Sequence, residues 1–146
     1  MSTIAIIVAD SAHAKFFLKA GKNAPLEEII GWINQRGRDH ERDLVTSRPG
    51  RTLDRQGGAL HSMDPRTSTK THQAMEFAKH LSLELEKYAA QGKFKQLIII
   101  AAPKFLGMIR QHLSPNIKQK IIYEVDKNAT LQDARSLSQR VQKLYL

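Results

Sequence analysis

The 146-residue chain contains no cysteine, and this absence removes two classes of protein from consideration. Without thiols there is neither a disulfide framework nor a thiolate-bound metal site. Long apolar runs are lacking as well, since the first run, Ile4 to Ala9, stops at Asp10 and has no basic stretch before it. That run is too short for a signal peptide or a membrane span. The sequence therefore predicts no membrane insertion and a cytoplasmic location.

Aromatic residues are few, at 6%, but the overall composition is that of a folded protein. Hydrophobic residues make up 41% of the chain and charged residues 25%, which argues against global disorder. A chain of this length can bury one sizeable core. We therefore expect a single domain over residues 1–146.

Acidic residues are scarce in the last third of the chain. The net charge is +9, and residues 93–146 hold ten basic side chains against three acidic ones, which places +7 there. A basic surface favours polyanions, chiefly RNA, DNA or anionic lipid. The alternative is that net charge only keeps the protein soluble, because excess positive charge by itself gives non-specific binding.

Hydrophobic patterning predicts five strands, three before and two after a long irregular segment. Apolar or alternating runs place them at about 3–9, 14–19, 26–33, 96–101 and 121–125. Antiparallel strands first and strand–helix units later imply an α/β fold with a mixed β-sheet of about five strands and helices packed on it.

Three helices are predicted from apolar residues at helical spacing. Ser68 is a plausible N-cap of a long helix, and Gly92 suits the position that ends it. Pro103 opens a short helix that Ser114-Pro115 closes. Thr130 is predicted to cap a final helix, whose residues Ala134, Leu137, Val141 and Leu144 should face the core.

A loop at about 35–68 interrupts this pattern and is rich in Arg, Asp, Gly and Ser. Loops this long within a compact domain are usually functional or mobile. Its residues Arg48, Arg51 and Arg55 suit phosphate binding, because a guanidinium group can donate two parallel hydrogen bonds. The alternative is a solvated loop in which Asp43 and Asp54 pair with these arginines.

Gly57 and Gly58 lie in the same loop. They could let the backbone approach a phosphate closely. A flexible turn without a ligand is the alternative.

Several segments, taken together and in order, resemble the bacterial host attachment protein family. They are Val8-Ala9-Asp10-Ser11-Ala12-His13-Ala14-Lys15-Phe16-Phe17, Ser47-Arg48-Pro49-Gly50-Arg51 with Gly57-Gly58, Phe77-Ala78, Ala102-Pro103-Lys104-Phe105-Leu106-Gly107 with Leu113-Ser114-Pro115, and Glu124-Val125-Asp126-Lys127-Asn128. The resemblance covers nearly the whole chain. It implies an RNase H-like fold, similar to the middle domain of archaeal and eukaryotic peptide-chain release factors, and no established biochemical activity.

The release-factor comparison implies a Gly-Gly-Gln tip in a loop before a long helix. Here that loop reads Arg55-Gln56-Gly57-Gly58-Ala59-Leu60-His61, so alanine stands where the glutamine would be. Hydrolysis of peptidyl-tRNA by that mechanism is therefore not expected. His61 remains a candidate acid or base, although no nucleophile is visible beside it.

Asp10 ends the first strand, where an RNase H-like nuclease would carry its first metal ligand. Only Asp126 and Glu76 are placed to join it, and three scattered acids do not make a two-metal site. The alternative is that Asp10 accepts backbone hydrogen bonds at the turn between two strands. None of the six histidines has a metal-ligand spacing, and no phosphate-loop or dinucleotide motif occurs. We therefore predict neither a metal site nor a cofactor.

The function predicted from these features is a non-enzymatic binding module for RNA or the ribosome. The predicted contacts are basic residues of the last third and of the loop: Lys104, Arg110, Lys118 and Lys120 with Arg48, Arg51, Arg55, Gly57 and Gly58. A host-interaction or adhesion factor, as the family name implies, is the first alternative. The second is a divergent release-factor-like or RNase H-like hydrolase using Asp10 and His61. The sequence sets no oligomeric state.

Overall fold

The computed structural model describes residues 3–34 and 65–144 of the chain, and the side chains within 3–34 and 69–144. The elements in chain order are β1 (Ile4–Ala9), β2 (His13–Lys19), β3 (Leu26–Ile33), α1 (Pro65–Ala90), β4 (Gln96–Ala101), α2 (Pro103–His112), α3 (Pro115–Lys118), β5 (Ile121–Val125) and α4 (Ala134–Lys143). The predicted α/β class and all five predicted strands are confirmed.

The five strands form one mixed sheet in the order β3-β2-β1-β4-β5. β1 pairs antiparallel with β2 and parallel with β4, and the pairs β2–β3 and β4–β5 are antiparallel and parallel respectively. The chain therefore runs to one side of β1 through hairpins and to the other side through helical crossovers. β3 and β5 are the edges of this sheet.

Helices cover both faces of the central strands. All six residues of β1 are buried, as a strand with apolar layers on both sides requires. Alternate residues point to the two layers, so Ala5 and Ile7 join the core beneath α1 and α2, while Ile6 and Val8 join the core with Leu137 of α4. The near-continuous apolar run in the sequence follows from this double cover.

β2 is more deeply buried than the half-buried strand that its alternation predicts. Phe16 and Phe17 are both buried although they point to opposite faces. Lys19 is also buried, and its Nζ donates a hydrogen bond to the carbonyl oxygen of Ala24. Burial lowers the pKa of the Lys19 ammonium group.

Three expectations about the helices need correction. The long helix begins at Pro65, before the predicted cap Ser68, so the irregular segment is shorter at its C-terminal end than predicted. The cap of the last helix is Asp133, whose carboxylate accepts the Ser136 amide at 2.8 Å, and not Thr130, whose hydroxyl has a tertiary partner. Ala134 is exposed rather than buried.

Other details of the helices agree with the sequence or add to it. Gly92 has φ of 74°, a left-handed conformation that favours glycine at a helix end. The single-turn helix α3 was not predicted, and Ser114 caps it by accepting the Ile117 amide. Within the described residues, no helix combines the length and apolar character needed to cross a membrane.

Candidate nucleic-acid interface

The three parallel strands β1, β4 and β5 give the sheet two chemically different ends. We call the end where these strands begin the amino end, and the end where they finish the carboxyl end. Two backbone hydrogen bonds join the three strands at the amino end: Lys95 N donates to Thr3 O at 2.9 Å, and Leu97 N donates to Lys120 O at 2.8 Å. Segments far apart in sequence therefore meet there.

This arrangement places four lysines at the amino end of the sheet. We call them the lysine surface: Lys93, Lys95, Lys118 and Lys120. Lys93 and Lys95 lie in the short link between α1 and β4, Lys118 is the last residue of α3, and Lys120 lies in the link between α3 and β5. Since β4 and β5 are adjacent and parallel, their preceding links lie side by side. Lys93, Lys95 and Lys118 are exposed and Lys120 is half-buried.

The lysine surface carries no neutralising partner among the described residues. No acidic residue occurs between Glu86 and Glu124 in the sequence, so the two links bring only positive charge. Glu27 of β3 lines the same cavity as Lys93, but the two side chains form no ion pair. Fixed like charges with no partner produce a positive local potential that attracts anions.

The four basic residues that the sequence assigned to this interface lie in three places. Lys118 and Lys120 belong to the lysine surface. Lys104 lies in the first turn of α2, at the carboxyl end. Arg110 forms an ion pair with Glu124, with 3.3 Å between its Nε and the Glu124 Oε1. The structure therefore does not bring these four residues together as one patch.

Sequence reasoning left Lys93 and Lys95 out of the predicted contact set. The usable signal was that both pairs of lysines immediately precede predicted strands. Once these strands are known to be parallel and adjacent, their preceding links must share one end of the sheet. The remaining predicted contacts Arg48, Arg51, Arg55, Gly57 and Gly58, together with His61, lie outside the described residues.

Asp10, the candidate catalytic acid, holds the turn between β1 and β2. Its Oδ1 accepts the backbone amides of Ala12 at 2.8 Å and His13 at 2.7 Å. The His13 Nδ1 lies 3.7 Å from the same oxygen. This is the turn-capping arrangement that was the structural alternative to a catalytic role.

The other carboxylate oxygen of Asp10 joins this turn to the loop between β5 and α4. Oδ2 lies 3.0 Å from the Thr130 hydroxyl and 3.2 Å from the Asn128 amide nitrogen. Partial burial raises the pKa of Asp10, but hydrogen bonds from Ala12, His13, Thr130 and Asn128 outweigh it and leave the pKa below the ordinary 3.8. Asp10 is therefore ionised at neutral pH, and its carboxylate connects the β1–β2 turn to the loop between β5 and α4.

Hydrogen bonds use most of the acceptor capacity of the Asp10 carboxylate. A carboxylate offers about four acceptor positions, and the two turn amides and the Asn128 side chain occupy three of them. The single proton of the Thr130 hydroxyl is shared between Asp10 Oδ2 at 3.0 Å and Asn128 Oδ1 at 2.9 Å. Glu76 lines a different cavity from Asp10, so these two carboxylates do not converge. Across residues 3–34 and 65–144, no three His, Asp or Glu side chains are grouped closely enough to hold a metal ion.

The strand order, with a three-stranded antiparallel unit continued by parallel crossovers, defines an RNase H-like α/β domain. The sequence matches the family described as "Protein required for attachment to host cells" over residues 5–141, and the chain belongs to that family. An uncharacterized protein of Rickettsia prowazekii (strain Madrid E) is 31% identical over 132 residues, covering 84% of this chain and 81% of that protein.

Among solved structures, the archaeal translation termination factor aRF1 has a similar fold. The TM-score is 0.53 at 16% identity, and the match covers 98% of this chain and 36% of that one, so this chain spans about a third of the factor's length. The Aquifex aeolicus Ppx/GppA phosphatase matches with a TM-score of 0.44 at 15% identity, covering 86% of this chain and 35% of that one. The expected similarity of fold to a release factor is confirmed.

Proposed function

We propose that this chain binds structured RNA through the lysine surface and that it acts on the ribosome as a non-enzymatic binding module. The observation that carries the proposal is the gathering of Lys93, Lys95, Lys118 and Lys120 at one end of the sheet without an acidic partner in the described part of the chain. A folding role would not explain these charges, because exposed lysines without partners contribute little to stability.

RNA is the polyanion that fits this surface best. Lysine ammonium groups are compact point charges that bind phosphate without reading a base. Four of them at one end of the sheet can contact backbone phosphates, and phosphate contacts are part of how proteins recognise RNA by shape. The fold likeness to a translation termination factor supports the ribosome as the place where such RNA is met.

Salt-dependent RNA binding tests the proposal. We would compare the full chain with a variant carrying Lys93→Gln, Lys95→Gln, Lys118→Gln and Lys120→Gln, using fluorescence anisotropy of a labelled RNA hairpin at several salt concentrations. Each phosphate contact contributes roughly 0.7–0.9 to the slope of log K against log salt. We expect the variant to lose roughly 3 from that slope and to bind about tenfold or more weakly at low salt.

A matched control variant separates the effect of where the lysines lie from the effect of the net charge on RNA binding. Lys15→Gln, Lys70→Gln, Lys79→Gln and Lys127→Gln together remove the same four charges from β2, α1 and the loop after β5. The control variant should keep most of the affinity and of the salt slope. Equal losses in both variants would mean that net charge alone attracts the RNA, and would overturn the lysine surface as the binding site.

The ribosomal part of the proposal needs its own measurement. We would follow the protein through a sucrose gradient of cell lysate at low and at high salt. Migration with ribosomal particles that persists at high salt supports a specific role there. Migration only at the top of the gradient in both salts would contradict it, whatever the result with the RNA hairpin.

Adhesion to host cells is the alternative that the family's description favours. It predicts that the chain is found outside intact bacteria. Detection of the protein on the cell surface, together with loss of attachment when the gene is deleted, would favour this alternative over the RNA proposal.

A further inference from the structure

A cavity of about 320 Å³ lies between the carboxyl-terminal part of β3 and the first half of α1. Its lining residues are Trp32, Ile33, Asn34, Gln73, Glu76, Phe77 and His80. The four helical residues recur at intervals of three and four, so they share one face of α1. The cavity reaches the lower end of the size range of small-molecule sites, about 300–1,000 Å³.

Aromatic rings form much of the cavity wall and are held in place from behind. Trp32 packs against the buried Phe16, with 6.4 Å between ring centroids, and meets the edge of the His80 ring at 6.4 Å and 87°. Phe77 is buried and stacks on Phe105 at 5.9 Å. Rings fixed in this way can receive a flat ligand without first being ordered.

Two polar groups of the cavity, on Gln73 and Glu76, are acceptors without a partner among the described residues. The Gln73 Oε1 is buried without a hydrogen-bond partner among the described residues. Glu76 is exposed and has no ion pair within the described part of the chain. In contrast, the Asn34 amide already donates to the Ser11 carbonyl at 3.0 Å and to the Gln73 carbonyl at 3.4 Å. The cavity therefore suits an aromatic ligand that brings its own donors.

We propose that this cavity binds a guanine base. Guanine presents two neighbouring donors, N1–H and the N2 amino group, and a carboxylate such as that of Glu76 can accept both at once. Adenine and cytosine place an acceptor beside their amino group, and uracil flanks its only N–H with carbonyl oxygens, so none of them offers a carboxylate two neighbouring donors. Stacking on Trp32 would hold the base, as aromatic side chains hold unpaired bases elsewhere, and the His80 ring, at 87° to Trp32, would border the base at its edge.

This site goes beyond the proposed lysine surface and lies apart from it. His13 pairs with Ile33, so β3 finishes at the same end of the sheet as β1, opposite the lysine surface. Strands of this length separate the two ends by roughly 20 Å. A base in the cavity and phosphates on the lysine surface are therefore contacted by different residues. Either binding site can be disproved without affecting the other.

The protein carries its own reporter for this test, because Trp32 is its only tryptophan. We would titrate the full chain with guanosine, which has no phosphate and so does not engage the lysine surface, and follow Trp32 fluorescence. We expect saturable quenching by guanosine, and roughly tenfold weaker binding of adenosine, which lacks the paired donors. The absence of saturable quenching by guanosine, or equal binding of adenosine, would overturn the proposal.

Two variants assign the selectivity to the carboxylate. Glu76→Gln should weaken guanosine binding roughly tenfold and remove most of the preference over adenosine, because an amide cannot accept both N–H groups. Glu86→Gln, a change of the same kind further along α1 and outside the cavity lining, should bind guanosine like the unchanged protein. If Glu76→Gln retained the full preference at an unchanged melting temperature, the assignment would be wrong.

Two further probes identify the source of the base. GMP is compared with guanosine, and a single-stranded uridine oligonucleotide with one central guanine is compared with the same oligonucleotide carrying adenine. Tighter binding of the guanine-containing oligonucleotide points to RNA as the source. Binding of guanosine and GMP with no difference between the oligonucleotides points to free nucleosides or nucleotides. If RNA binding depends on the lysine surface but guanosine has no effect, the guanine site is wrong and the lysine surface is not affected.

Discussion

The two ends of the sheet carry similar kinds of polar residue but use them in opposite ways. At the carboxyl end, Asp10 is surrounded by donors from its own turn and from the loop at 128–130. At the amino end, the four lysines of the lysine surface have no ion-pair partner among the described residues. Polar groups that satisfy one another stabilise the fold, whereas charges without partners are available to another molecule.

The comparison also explains why a carboxylate at the end of β1 is insufficient evidence for catalysis. The position matches the place where an RNase H-like nuclease carries a metal ligand, but Asp10 has most of its acceptor positions occupied and lacks converging carboxylates among the described residues. The same position in the fold can therefore serve chemistry or stability, depending on what surrounds it. The neighbours, and not the fold, decide the role.

The largest effect on stability that we expect comes from removing the Asp10 carboxylate. Asp10→Ala leaves two turn amides without their acceptor and disconnects the loop at 128–130, which should lower the free energy of unfolding by about 2–3 kcal/mol. Urea denaturation measures this change. Asp126→Ala removes an exposed carboxylate from the same end and should alter stability by at most about 0.5 kcal/mol. Equal, small effects of both changes would mean that the hydrogen bonds of Asp10 contribute nothing to the free energy of unfolding.

Lowering the pH should gradually remove the stabilisation that the Asp10 carboxylate provides. Because the pKa of Asp10 is lower in the folded chain than its ordinary 3.8, the folded state binds a proton less readily than the unfolded state. The stabilisation is therefore fully present above about pH 5 and is lost as the pH falls through the folded-state value. The difference in unfolding free energy between the natural chain and Asp10→Asn should narrow as the pH falls from 5 towards roughly 2. A constant difference would contradict the lowered pKa.

The smallest effect should come from the basic residue that is already paired. Arg110 shares its charge with Glu124 at an exposed site, so Arg110→Gln should change the unfolding free energy by about 0–1 kcal/mol. It should also weaken RNA binding less than Lys95→Gln, which removes a charge without a partner. Anisotropy titrations at one low salt concentration compare the two. A larger loss for Arg110→Gln would place the RNA on the face of α2 and β5.

The strands were well predicted because their signal is local. Ile4 to Ala9 is apolar at every position and is buried at every position. The helix stripe from Ala74 to Leu85 likewise needs only the spacing of apolar residues. Gly92 was predicted to end the long helix on the same local grounds and has the expected left-handed backbone.

The missed features depend on contacts between distant residues. Thr130 has the side chain of a helix cap, but Asp10, 120 residues earlier, provides an acceptor for its hydroxyl, and the cap falls to Asp133. The cavity beside Trp32 has the same character, since its wall joins residues 32–34 to residues 73–80, which follow them after a long stretch of chain. Sequence patterning places Trp32 on a strand and His80 on a helix, but does not indicate that the two rings meet.

The parallel pairing of β1 with β4 also determines the order in which the sheet can form during synthesis. β1, β2 and β3 are connected by short turns and can pair once β3 has left the ribosome. Ile4 must wait for Gln96, its partner in β4, so one edge of a fully apolar strand remains unpaired until β4 has been made. Contacts of such long sequence separation form slowly. The nascent chain therefore has its greatest tendency to aggregate in this interval, before β4 covers the open edge of β1.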